Sequence, residues 1–146
     1  MRAALPDHDA VPDQMMRTLC LLRRLCWGPS WCLSRADAEI ATAAASLCNY
    51  VATALPHGRP LRFAWPGAAR CTRDERRLLR VLAAAQAEAW DVLDACLSRY
   101  APQRELRAGL ASRTRTLAEI LAVRGVWLVQ RRTQPGCQPH SHQQRL

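Results

Sequence analysis

Lysine is absent from this chain: all 21 of its basic residues are arginine. Asparagine occurs once, at Asn49, phenylalanine once, at Phe63, and isoleucine only at Ile40 and Ile120. Residues with AT-rich codons are therefore scarce together, while Ala, Arg, Leu and Pro abound, as GC-rich coding produces. That bias explains arginine in place of lysine, so the arginine count alone is no argument for phosphate recognition. It does not explain the excess of base over acid. Against 12 Asp and Glu, the arginines leave a formal net charge of +9 and a pI near 10.2. A surplus of this sign favours an acidic partner, either nucleic acid or an acidic protein surface.

Further absences narrow the chemistry. There is no Gly-rich phosphate loop, no G-x-S-x-G elbow and no H-E-x-x-H, which removes the commonest nucleotide, hydrolase and metalloprotease signatures. His8, His57, His140 and His142 fall in expected loops or ends. Glu88, Asp91 and Asp94 have helical spacing but lie on an expected solvated face, with no pocket to raise a carboxyl pKa. The expectation is a non-enzymatic protein without catalytic residues or a cofactor. C-x-x-C is absent as well. Cys20, Cys26 and Cys32 recur at intervals of six, which puts their thiols on different sides of a helix, so no zinc set is expected. Cys137, His140 and His142 read as part of a composition-shifted tail. The seven cysteines are odd in number and sit mostly among apolar helical positions, which predicts buried, reduced thiols. The N-terminal stretch lacks the apolar core of a signal peptide, and the longest uncharged run, residues 40–58, is too polar for a transmembrane helix. A soluble, cytoplasmic chain without membrane association is expected.

What is present reads as mainly α: a small bundle of four to five helices in a single domain over residues 12–130, with a flexible stretch at 1–11 and a disordered basic tail at 131–146. The first helix runs from Pro12 to Cys26, with Met15, Leu19, Leu22 and Cys26 on one face. Ser34, with Asp37 three residues on, opens a second. Its stripe is Ile40, Leu47, Val51 and Leu55 among alanines, so it is expected to lie centrally. A third runs from Thr72 to Tyr100. A fourth ends at Arg124 with Gly125 as its cap, and Gly109 is a point where it could divide. Leu61, Phe63 and Trp65 alternate with Arg62 and Ala64 at the period of a half-buried strand. Residues 61–65 and 126–129 are therefore candidates for a short two-stranded β pair.

The most informative stretch is RCTRDERRLLR, residues 70–80. Thr72 and Glu75 have capping-box spacing. At about 100° per residue, Arg73, Arg76, Arg77 and Arg80 share one sector, opposite Leu78, Leu79 and Leu82, with Arg70 just ahead. Cations here oppose the helix dipole, and the arrangement suits an anion.

The order strand, three helices, then VRGVWL resembles a winged helix-turn-helix, and VRGVWL is similar to the final strand of response-regulator DNA-binding domains. The likeness covers the second half of the chain, and a second wing strand is not evident. It implies that Arg113 and Arg115 sit near the start of a recognition helix, where bases are contacted.

The sequence thus predicts a basic helical protein that binds an acidic partner through Arg70, Arg73, Arg76, Arg77 and Arg80, with Arg113 and Arg115 as further contacts. The alternative is a helical adaptor or structural protein that associates through apolar surface around Trp27 and Trp31, which flank a Gly-Pro turn.

Overall fold

A computed structural model describes residues 13–27, 34–56 and 58–128. Both expected chain ends, Trp31 and His57 lie outside the described residues. Five helices make up the fold: α1 Asp13–Trp27, α2 Arg35–Thr53, α3 Arg73–Gln86, α4 Trp90–Ser98 and α5 Arg104–Val123. It is a small helical bundle.

Local chemistry sets most of the boundaries. The Ser34 hydroxyl accepts the Asp37 N–H and starts α2. At Thr72 both halves of the capping box form: the hydroxyl accepts the Glu75 N–H at 3.1 Å, and the Glu75 carboxylate accepts the Thr72 N–H at 2.8 Å. α5 closes in a Schellman motif. Gly125 sits at φ +78 and donates to Ala122 O, while Val126 N–H reaches back to Leu121 O; only glycine takes that left-handed position without strain.

Three expectations about the helices need correction. The helix expected over 72–100 breaks at 87–89, also in a Schellman motif: Ala89 N–H donates to Ala84 O and Glu88 N–H to Ala85 O. The left-handed position is held by Glu88 at φ 54. A glutamate stands where glycine would signal the stop, so the sequence hides the break. Gly109 does not divide α5. It is needed because Tyr50 packs against the helix there, with its hydroxyl donating to Leu106 O; a Cβ on Gly109 would lie 2.2 Å from that hydroxyl oxygen. Nor is α2 the central helix. α5 packs against α2, α3 and α4, and the second half of α3, Val81 to Ala85, is buried on all sides. On α2, Thr42, Ala45, Ser46 and Asn49 are exposed.

The β pair does not form: there is no strand among the described residues. Each segment satisfies its backbone through side chains instead. The Arg62 N–H donates to Asp74 and the Ala64 N–H to Glu75, so the alternation that looked like a strand faces a helix end. The Gln86 amide bridges residues 126–128, donating to Val126 O at 2.8 Å and accepting the Leu128 N–H at 2.7 Å.

One core unites the elements. Leu19 and Leu22 of α1, Leu47 of α2, Leu82 and Ala84 of α3, Leu97 of α4 and Leu117 and Leu121 of α5 are all buried within it. Cys20, Cys48, Cys71 and Cys96 are half-buried rather than fully buried. No helix among the described residues is long and apolar enough to cross a membrane.

Candidate functional site

The two carboxylates inside the arginine-rich stretch both turn inward. Glu75 is fully buried, and each of its oxygens accepts two donors. Oε1 takes Arg23 Nε at 2.8 Å and Ala64 N–H at 2.7 Å; Oε2 takes Arg23 Nη2 at 2.9 Å and Thr72 N–H at 2.8 Å. Arg23 is itself fully buried. Its other bonds go to the carbonyls of Ala68 at 2.8 Å and Arg70 at 3.0 Å. Burial alone would raise the Glu75 carboxyl, but the Arg23 guanidinium and the two backbone N–H groups outweigh it and hold the pKa below the ordinary range.

Asp74 repeats the pattern beside it. It accepts both Nη atoms of Arg59, at 2.9 and 3.2 Å, and the Arg62 N–H at 2.9 Å. Burial pushes this carboxyl up, but the Arg62 amide and then the Arg59 guanidinium pull it below its usual value. The Thr72 hydroxyl donates to Arg62 O at 2.7 Å. The loop from 58 to 72 is thereby pinned across the start of α3.

This latch has two effects on the arginines. It neutralises Asp74 and Glu75 from the inside, so the outer side of α3 carries cations only: Arg73, Arg76 and Arg80 are exposed and Arg77 half-buried, with Arg70 exposed just ahead of the helix. It also brings the exposed Arg59 and Arg62 to the same helix end. The ion pairs among the described residues are Arg23–Glu75, Arg59–Asp74, Arg107–Asp94 and Arg124–Glu39. None of Arg70, Arg73, Arg76, Arg77 and Arg80 takes part in one. The helix N-terminus itself is already capped by Thr72 and Glu75, so its dipole does not add an open anion cradle.

Arg113 and Arg115 do not join this face or each other. α5 begins at Arg104, which puts both in its middle rather than at the start of a recognition helix. Arg113 lies 4.0 Å from the Tyr50 ring centroid, towards α2, and donates to Gly109 O. Arg115 lies over Trp90 of α4, 4.7 Å from the ring centroid. Trp27 ends α1, but its side chain, like all of Trp31, is outside the described residues. The cleft between α2, α3 and α5 is lined by Val51, Leu61, Leu78 and Leu110, with Asp74 and Arg77 as its charged groups. No cluster of three or more His, Cys, Asp or Glu side chains suited to a metal ion occurs among the described residues.

Sequence reasoning missed Arg23, Arg59 and Arg62. A signal for Arg23 was present: it follows Leu19 by four residues, which puts it on the apolar stripe of α1. Arg59 and Arg62 carried none, because their role depends on the loop fold. Comparison with protein-family models, with curated proteins and with solved structures finds no match to this chain.

Proposed function

We propose that this is a non-enzymatic basic helical protein that binds a polyanion, nucleic acid foremost, through the outer face of the first turns of α3. One observation carries the reading: Arg70, Arg73, Arg76 and Arg80 are exposed and form no ion pair among the described residues, while the two carboxylates between them are turned inward and hydrogen-bonded. Such a face is neutralised only by solution ions or a partner, and release of counterions condensed on nucleic acid favours the latter. The second half of α3 is buried all round, so the helix cannot lie along a groove. Guanidiniums at its first turns reach phosphates, which set affinity and orientation rather than base sequence. The reading goes with a cytoplasmic location and no membrane association. The adaptor alternative through Trp27 and Trp31 rests on side chains outside the described residues, and nothing observed favours it.

The test is a titration of labelled DNA and RNA with the full chain at several salt concentrations. Wild type should bind and weaken as salt rises. Replacing Arg73, Arg76, Arg77 and Arg80 with Gln should weaken binding and flatten its salt dependence by up to about 0.9 log units per lost duplex phosphate contact. Replacing Glu88, Asp91 and Asp94 with Gln should leave binding equal or tighter. Wild type that shows no salt-dependent binding to any DNA or RNA, but binds polyglutamate, would assign the face to an acidic protein.

A further inference from the structure

Two guanidiniums of this molecule sit over aromatic rings, one at the first residue of α4 and one just past its end. Arg115 covers Trp90 at 4.7 Å from the ring centroid, and Arg77 covers Tyr100 at 5.4 Å. The third such pair, Arg113 on Tyr50, is tied into the interior by hydrogen bonds to Gly109 O and from Tyr50 to Leu106 O. The first two lack such ties: Arg115 and Trp90 are exposed, while Arg77 and Tyr100 are half-buried and line the cleft between α2, α3 and α5. Arg77 and Arg115 form no ion pair among the described residues. Trp90 keeps 45% of its surface exposed at the first turn of α4, although burying it would have been favourable. α4 has nine residues, roughly 13 Å of helix, with Trp90 at its start and Tyr100 two residues beyond its end.

We infer that the partner is single-stranded nucleic acid, with unpaired bases stacking on the Arg115–Trp90 and Arg77–Tyr100 platforms while Arg73, Arg76 and Arg80 hold phosphates. This rests on the polyanion reading and adds bases to it. A duplex hides its base faces, whereas a single strand offers them to aromatic rings and guanidinium planes. Asp94, on α4 between the platforms, is neutralised by Arg107 at 3.1 Å. Asp91 remains an exposed acid on that helix and limits the phosphate contacts to the α3 side.

Anisotropy titrations with the full chain separate the possibilities, using a labelled oligonucleotide, its abasic counterpart of equal length, its duplex, and inorganic polyphosphate. The base-bearing strand should bind at least about fivefold tighter than the abasic one, since base–aromatic stacking spans ~1–3 kcal/mol per base. Trp90→Leu should abolish most of that ratio without changing the salt slope, and Trp90→Phe should restore much of it. Arg115→Gln, a surface change on a helix, is a second variant expected to lower the ratio. Equal binding of all four probes would overturn base recognition and leave the polyanion reading standing. A ratio unmoved in both Trp90→Leu and Arg115→Gln would overturn these platforms. Failure of every probe to bind would remove both readings.

Discussion

Arg23 and Arg76 carry the same side chain and do opposite things. Arg23 is sealed in the interior, with a guanidinium that makes four hydrogen bonds to Glu75, Ala68 and Arg70. Arg76, one residue beyond Glu75, is exposed and has no acid partner among the described residues. The inner side of the first turn of α3 is a closed polar network in which donors and acceptors match. The outer side is an open one, with donors in surplus. Codon bias supplies arginine to both, so identity alone cannot separate a structural guanidinium from a binding one. Position on the helix and the presence of a carboxylate do.

The largest effect should come from breaking the closed side. Arg23→Met strands Glu75 as a buried, unpaired charge and should cost ~3–5 kcal/mol in denaturant unfolding. Arg23→Lys should lose most of that too, because an ammonium cannot span both carboxylate oxygens and two carbonyls. Arg76→Lys should be silent. If Arg23→Lys were also silent, the contrast between the two sides would collapse.

Acid should act on the closed side in the same direction. Asp74 and Glu75 titrate below the ordinary range near 4 in the folded state, so the unfolded chain takes up protons first. Their stabilisation is fully present above the unfolded pKa and is lost as pH falls through the folded values. Melting temperature should hold from neutral pH down to about 5 and drop below about 4. In Glu75→Gln, already weakened, that acid-dependent drop should be smaller.

A smaller and opposite effect is expected at the far end of α3. Glu88 holds a left-handed conformation that costs a non-glycine residue ~1 kcal/mol. Glu88→Gly should therefore raise the unfolding midpoint slightly. The smallest change belongs to the open side. With the exposed Arg73, Arg76 and Arg80 replaced by Gln, stability should stay within about 0.5 kcal/mol per position. A large loss there would mean that these arginines hold the fold rather than wait for a partner.

Particular residues show what could be read in advance. Thr72 with Glu75, Ser34 with Asp37, and Gly125 each signal a helix end through side-chain chemistry acting within a few residues, and each forms as the spacing predicts. The 87–89 break was illegible because Glu88 replaces the expected glycine and the residues around it, Gln86, Ala87 and Ala89, carry no stop signal. The extended alternation at 61–65 was legible as a pattern but not as a pairing: the partners of Arg62 and Ala64 are carboxylates more than ten residues away, which no local rule selects. The arginine sector was visible on a helical wheel. What makes it an unpaired face, the inward turn of Asp74 and Glu75, depends on Arg23 and Arg59 arriving from elsewhere in the chain.

That arrival imposes an order on assembly. A guanidinium can leave water cheaply only when its acceptors already stand in place, and those of Arg23 are one carboxylate on α3 and two carbonyls of the loop before it. The capping box must therefore close, and residues 68–70 must lie across the helix end, before α1 can dock. Arg23 and Glu75 are 52 residues apart in the chain, so a long loop also closes at that step. Docking of α1 is therefore expected late in folding and its release early in unfolding. Amides of α1 should accordingly exchange with solvent through openings that leave α3 and α5 protected.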